Sequence, residues 1–265
     1  GAALLDEQAE VLDRIVEIVE AEQVELVIVA GDLYDRAIPP APAVELLGDV
    51  LARLHRAGAA VAAISGNHDS AVRVGGHDAL LNRLGVALRG DHRRVAEPLV
   101  IEHPADGGPP VAVYLVPYLE PAAVGADLVP VDAPAGAEDP GDGSAVVEPA
   151  VVDDAAIPSL FDLIDEDEDE APSTRRRSGR PTQDAVVRAA VDQVRTHAAS
   201  LGPTRTVVVA HTFVAGGEVS ASERDLSVGN LERVAVSTFD GFDLVALGHL
   251  HSPQSVAGDR VAYAG

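Results

Sequence analysis

The sequence has 265 residues, and 47% of them are hydrophobic, which is enough for a buried core. It has no cysteine, which excludes disulfides and thiolate metal sites, and no apolar run long enough to cross a membrane as a helix. The formal net charge is −24, but 16 of the 43 acidic residues lie within residues 120–174, where there is no basic residue. Charge alone therefore does not exclude nucleic acid as a ligand.

The first part of the chain alternates predicted helices with short apolar runs. Apolar residues at helical spacing predict one helix over 4–20 and a second over 43–57. The runs at 25–30 (ELVIVA) and 60–65 (AVAAIS) are too short for helices, so each predicts a strand that is buried on both faces. Further elements are expected as a short helix near 77–84 and as strands near 86–89, 97–102 and 111–117.

The middle of the chain differs in composition. Residues 119–181 are rich in Pro, Gly, Asp and Glu and lack an apolar period, which predicts a flexible acidic insertion. After it we expect a helix near 182–200, strands at 206–210 and 243–247, and antiparallel strands near 254–264. Two core halves, 1–118 and 182–265, would thus flank the insertion in an α/β layered fold.

Polar motifs follow four of the predicted strands, and each begins where its strand ends. They are Gly31-Asp32, Gly66-Asn67-His68-Asp69, Ala210-His211 and Gly248-His249-Leu250-His251. Taken alone, Gly31-Asp32 is more often a turn and His211 more often a core or surface histidine, whereas Gly66-Asn67-His68-Asp69 is more specific. Because ligands bind at the carboxyl ends of strands in α/β sheets, the four together predict one shared site.

The residue types in these motifs are those of a metal centre. Carboxylate and amide oxygens combined with imidazole nitrogens, without sulfur, suit Mn, Fe or Zn better than Ca or Mg. One carboxylate can bridge two cations, and a pair of cations about 4 Å apart is the arrangement used for in-line attack on phosphate esters. His68, beside Asn67, would then be free to protonate the leaving oxygen.

The order of these motifs resembles that of the calcineurin-like metallophosphoesterases. The surrounding segments are similar to one nuclease branch of that family, called SbcD, at 31–37 (GDLYDRA), 64–70 (ISGNHDS), 113–121 (VYLVPYLEP) and 208–251. The resemblance implies a layered β-sandwich flanked by helices. It also implies a Mn²⁺-dependent DNA exonuclease and endonuclease that acts in DNA replication, recombination and repair.

The resemblance also implies a role for each motif residue. Asp32 would bridge two metal ions, and His68 would be the catalytic histidine. Asn67, His211 and His249 would complete one metal site, and His251 would belong to the other. Asp35 and Asp69 are interpreted as residues that orient the ligands.

The sequence departs from the family pattern at its start. It begins Gly-Ala-Ala rather than with Met, and the family's opening Asp-x-His motif is not present before the first predicted helix. We therefore expect an internal fragment with one complete and one incomplete metal site and with weak or no catalysis alone. The parent protein is expected to be cytoplasmic and not membrane-bound. It would act on duplex DNA as a dimer with an SbcC-type ATPase.

Two other functions remain open at this stage. A small-molecule phosphodiesterase or a protein phosphatase of the same family would use the same motifs. A non-catalytic module that regulates an ATPase would need no metal at all.

Overall fold

The computed structural model describes residues 2–129, 181–218 and 233–265, and these belong to one compact unit. Most of the predicted acidic insertion lies outside the described residues. In the part of the chain that the structure describes, no helix is long and apolar enough to span a membrane.

The first sheet is parallel and has the strand order β1-β2-β3. Its strands are β1 (Leu26–Val29), β2 (Ala60–Ile64) and β3 (Val86–Arg89). The connecting helices α1 (Ala2–Glu22) and α2 (Ala41–Arg56) place apolar side chains at helical spacing against the outer face of the sheet. Short helices α3 (Ala71–Gly75) and α4 (Asp78–Leu81) and a 3-10 turn at Asn82–Leu84 lie between β2 and β3.

The second sheet has six strands in the order β4-β5-β6-β7-β9-β8. Strands β5 (Val111–Val116), β6 (Arg205–His211), β7 (Leu244–Gly248) and β9 (Val261–Tyr263) are parallel neighbours. The edge strands β4 (Leu99–Ile101) and β8 (Gln254–Ala257) run antiparallel to them. Helices α5 (Pro121–Leu128) and α6 (Gln183–Ser200) cover the outer face of this sheet. Further 3-10 turns lie at His92–Arg94 and Val236–Phe239.

The two sheets pack face to face. Ala62, Ile64 and Ala87 of the first sheet share a buried apolar cluster with Leu115 and Val209 of the second. Alternate residues of the same strands point outward to the helices, as the period of a strand requires. The predicted α/β sandwich flanked by helices is thus confirmed.

Three details differ from the sequence predictions. The residues of β1 are only partly buried, because β1 pairs with β2 alone and forms a sheet edge. Helix α3 had no counterpart among the predicted elements. The start of the predicted insertion at residue 119 is also wrong, since α5 lies within it and buries Val124 and Leu128 in the core.

Candidate functional site

The candidate site lies where the carboxyl ends of both sheets meet. Asp32 and Asn67 follow β1 and β2 of the first sheet, while His211 ends β6 and His249 follows β7 in the second. The strands that carry them are parallel within each sheet, so their polar ends share one edge of the sandwich. Residues that are far apart in the sequence are therefore brought together.

The distances between the four side chains show this convergence directly. The Nε2 atom of His211 lies 2.9 Å from Oδ1 of Asn67 and 3.5 Å from Oδ2 of Asp32. The Nδ1 atom of His249 lies 3.2 Å from the same Asn67 oxygen. The two imidazole rings meet edge to face, with 5.3 Å between their centroids.

The protonation of His211 follows from its other partner. Its Nδ1 lies 2.7 Å from the backbone oxygen of Ala30, which can only accept, so Nδ1 carries the proton and donates it. Burial lowers the pKa of His211, whose side chain is 1% exposed, and keeps the ring neutral. The Nε2 lone pair is consequently free to bind a cation beside the oxygens of Asp32 and Asn67.

Two glycines allow the backbone to approach this histidine. Gly31 has a φ of +101°, and a Cβ built on it would lie 2.0 Å from Nδ1 of His211. A Cβ on Gly248 would lie 1.8 Å from the oxygen of Ala30. No side chain fits at either position, so both glycines are required for the bond between His211 and Ala30.

The backbone is also held in an unusual conformation at two of the site residues. Asp32 has a φ of 50° and His249 a φ of 105°, both in the left-handed region. Such a conformation costs on the order of 1–3 kcal/mol at a residue other than glycine. Strain of this kind is typical of residues that are fixed by function.

Asp69 connects the loops that carry Asp32 and Asn67. One carboxylate oxygen accepts from the backbone N–H groups of Leu33 and Gly66, and the other accepts from that of Tyr34, all at 2.9 Å. Burial raises the pKa of Asp69, while these three hydrogen bonds act against the rise. Asp69 is thus placed where a residue that orients the ligand loops is needed.

The remaining predicted site residues take different positions. His68 is exposed beside the site, and its backbone N–H donates to Oδ1 of Asp32 at 3.2 Å. Asp35 is not brought to the group, because its exposed carboxylate pairs with Arg36 at 2.7 Å. His251 is exposed and lies two residues beyond His249, at the end of the same motif.

Sequence reasoning missed two parts of the site. The carbonyl of Ala30 fixes the proton of His211, but a backbone oxygen leaves no sequence signal. Tyr118 follows β5 and meets the ring of His211 edge to face, with 6.2 Å between centroids. The same strand-end rule that selected the other residues would have found Tyr118.

The donor set fits one divalent cation. Asp32 and Asn67 offer oxygens, and His211 and His249 offer nitrogens, a mixture that suits Mn, Fe or Zn. In the described ranges no three His, Asp or Glu side chains alone are arranged to hold a metal ion. The amide oxygen of Asn67 contacts both imidazoles and would complete the donor set.

Two comparisons with known proteins found similarities. Residues 5–114 match the family model described as calcineurin-like phosphoesterase, and they include Asp32, Asn67 and His68. The chain is also similar to the solved structure of the phosphopantetheinyl hydrolase PptH from Mycobacterium tuberculosis. That match has 17% identity and a TM-score of 0.43, and it covers 91% of this chain and 77% of the other.

Proposed function

We propose that this chain, which carries a calcineurin-like phosphoesterase domain over residues 5–114, hydrolyses phosphodiester bonds in DNA with the help of divalent metal ions. Enzymes of this family are hydrolases of phosphoester bonds, and they use divalent metals. The observation that carries the proposal is the convergence of Asp32, Asn67, His211 and His249 on one point. His211 and His249 lie outside the matched residues 5–114, yet they lie against Asp32 and Asn67, which are inside that range.

The chain's own residues have separable tasks in this reaction. Asp32, Asn67, His211 and His249 would hold a cation, which supplies Lewis acidity and offsets the negative charge of the phosphoester. The hydrogen bond to Ala30 keeps the Nε2 atom of His211 unprotonated for this task.

His68 is the group best placed to act on the substrate itself. It is exposed, it is next in sequence to Asn67, and its backbone N–H donates to Asp32, so we assign its ring to contact with a bound phosphoester. A protonated imidazole there would donate its proton to the departing oxygen as the bond to phosphorus breaks.

The DNA substrate and the partner are the finer part of the proposal. They are supported by the segments that resemble the SbcD branch, above all residues 31–37, 64–70 and 113–121. On this reading the parent assembly contains two copies of the chain and an SbcC-type ATPase, and Mn²⁺ fills two sites in each copy. His251 would belong to the second site.

Metal binding and hydrolysis test the proposal together. Titration calorimetry with Mn²⁺ should show binding to the wild-type chain and at least tenfold weaker binding to Asp32→Asn. Hydrolysis in Mn²⁺, even if slow, should disappear in the same variant. Asp49→Asn, on the exposed side of α2, is the matched control and should behave like the wild type.

The choice of substrates separates the alternatives. Linear duplex DNA, an aryl phosphodiester and a phosphorylated peptide should be offered in parallel assays. Cleavage of DNA is the expected result. Hydrolysis of the aryl ester alone would support phosphodiesterase activity and refute the proposed DNA substrate. If Asp32→Asn binds Mn²⁺ as tightly as the wild type does, the proposed metal site is wrong.

A further inference from the structure

Tyr118 lies at the candidate site but has no role in the proposed metal binding. It follows β5, whose parallel neighbour β6 ends in His211, so the two residues emerge side by side. Its backbone N–H donates to the oxygen of Ser65 at 2.9 Å, directly before the loop that carries Asn67. Tyr118 therefore bridges the two sheets at the edge where the ligands lie.

The ring of Tyr118 has one side on the site and another towards solvent. It meets the imidazole of His211 with an interplanar angle of 83°, in an edge-to-face contact that fixes its orientation. While the side chain of His211 is 1% exposed, Tyr118 is only half-buried. Tyr118 is therefore more accessible than the histidine that it contacts.

The hydroxyl of Tyr118 is weakly engaged. It donates to Oε2 of Glu120 at 3.4 Å, well beyond the usual distance of about 2.7–2.8 Å for such a bond. Glu120 is exposed, and it also caps the first turn of α5 by accepting from Ala122 at 3.4 Å. A better acceptor would therefore displace Glu120 at little cost.

We propose that Tyr118 is a substrate-positioning residue, whose hydroxyl leaves Glu120 to donate a hydrogen bond to a phosphoester oxygen at the candidate site. The inference rests on the proposed function for the identity of the substrate. A phenol is neutral near pH 7 and offers one O–H, which suits an anionic oxygen. The rigid contact with His211 would hold this donor at a constant place beside the cation ligands.

Tyr118→Phe removes the hydroxyl and keeps the ring. With Mn²⁺ present, it should weaken the binding of inorganic phosphate about three- to tenfold and raise the KM for an aryl phosphodiester by a similar factor. Mn²⁺ affinity and kcat should stay within about twofold of wild type, because the hydroxyl is assigned to positioning. Tyr114→Phe is the matched control. Its lost hydroxyl bonds His197 at 2.9 Å in the core, so it should lower Tm and leave phosphate binding unchanged.

A second measurement uses the wild-type protein. The chain has four tyrosines and no tryptophan, so its near-ultraviolet fluorescence comes from tyrosine. Phosphate should change this fluorescence in the wild type and not in Tyr118→Phe.

The outcomes separate this inference from the proposed function. If Tyr118→Phe binds phosphate as the wild type does, or shows the same fluorescence change, the inference is wrong even when hydrolysis is observed. If nothing is hydrolysed but phosphate binds and depends on Tyr118, the proposed function fails and the phosphate contact stands. If the wild type neither binds phosphate nor cleaves the ester, both fail.

Discussion

His68 is exposed beside the candidate ligands, and it is the residue to which we assign proton transfer. Its ring is exposed, whereas the side chains of Asn67, His211 and His249 contact one another. Cation binding by the ligand group and proton transfer by His68 can therefore be tested separately, with one substitution each.

We predict that His68→Asn retains Mn²⁺ affinity within about twofold while hydrolysis falls by about 10²–10⁴, the usual contribution of a general acid. Calorimetry and an aryl phosphodiester assay measure the two quantities. His55→Asn, on the exposed side of α2, is the control and should change neither. Loss of Mn²⁺ from His68→Asn would instead place His68 among the ligands.

Gly248 offers a second test at the residue scale, this time of the support behind His211. An alanine there must push the oxygen of Ala30 aside, because the added Cβ would come within 1.8 Å of it. We predict about ten- to a hundredfold weaker Mn²⁺ binding in Gly248→Ala, as for other losses of a ligand's supporting hydrogen bond.

The control for that variant is Gly48→Ala. Gly48 lies within α2, with nothing within 4 Å of an added Cβ. Alanine there should leave Mn²⁺ binding unchanged and stabilise the chain by about 0.5–1 kcal/mol. Equal Mn²⁺ affinity in Gly248→Ala and wild type would contradict the role given to the Ala30 carbonyl.

How far the sequence predicts the site depends on the kind of signal. Asp32, Asn67, His211 and His249 could be selected because a strand pattern and a polar motif are both visible in the residue order. The sequence could not predict the φ of 105° at His249 or the hydrogen-bond partner of Nδ1 in His211. They depend on how the two sheets pack, which no local pattern records.

At the scale of elements, the end of β3 supports the loop that carries Asn67. Arg89 is fully buried and donates from Nε to Asp78 at 2.9 Å, and Arg94 reaches the same carboxylate at 2.6 Å. The backbone oxygen of Arg89 accepts from Ser65, two residues before Asn67. This buried network fixes α4 and β3 against the end of β2.

We predict that Arg89→Met lowers the free energy of unfolding by about 3–5 kcal/mol, because it leaves a buried carboxylate short of a partner. Urea denaturation followed by circular dichroism measures the loss. The matched pair is Arg14 and Glu17, 2.9 Å apart with both side chains mostly exposed. Arg14→Met should cost about 0–1 kcal/mol, and equal losses in both variants would refute the prediction.

Elements were predictable where they are long and periodic. Helices α1, α2 and α6 and the apolar strands follow their patterns closely. Helix α5 was hidden, because its sequence PAAVGADL is rich in Ala, Gly and Pro and lies beside the acidic stretch. Its stability comes from contacts with α6, which are tertiary and do not show in composition.

At the scale of the whole molecule, the sequence indicated an α/β sandwich but not the order of its strands. Strand β9 lies between β7 and β8 in the sheet, so the chain returns to pair parallel with β7. A short apolar run cannot indicate which neighbour it will pair with. The convergence of the site depends on that global arrangement, which the motif order alone could only suggest.

Whether the fold of the described residues needs the segment at 131–179 can be tested on the same scale. Helix α5, before this segment, lies against Pro181, which follows it, since a Cβ built on Gly125 would lie 2.6 Å from Cγ of Pro181. Joining nearby ends with a short linker costs little loop entropy. A short Gly/Ser linker in place of residues 133–178 should therefore leave Tm within about 3 °C of the wild type, as differential scanning calorimetry can measure.

Leu128 is the matched comparison for this deletion, because it is buried just before the deleted segment. Its side chain is 7% exposed at the end of α5, inside the stretch that composition assigned to the insertion. Leu128→Ala should cost about 2–5 kcal/mol, because it leaves a cavity between α5 and the second sheet. A deletion that destabilises the protein as much as Leu128→Ala would show that residues 133–178 belong to the core. If Leu128→Ala does not lower the free energy of unfolding, α5 does not contribute to the core as described here.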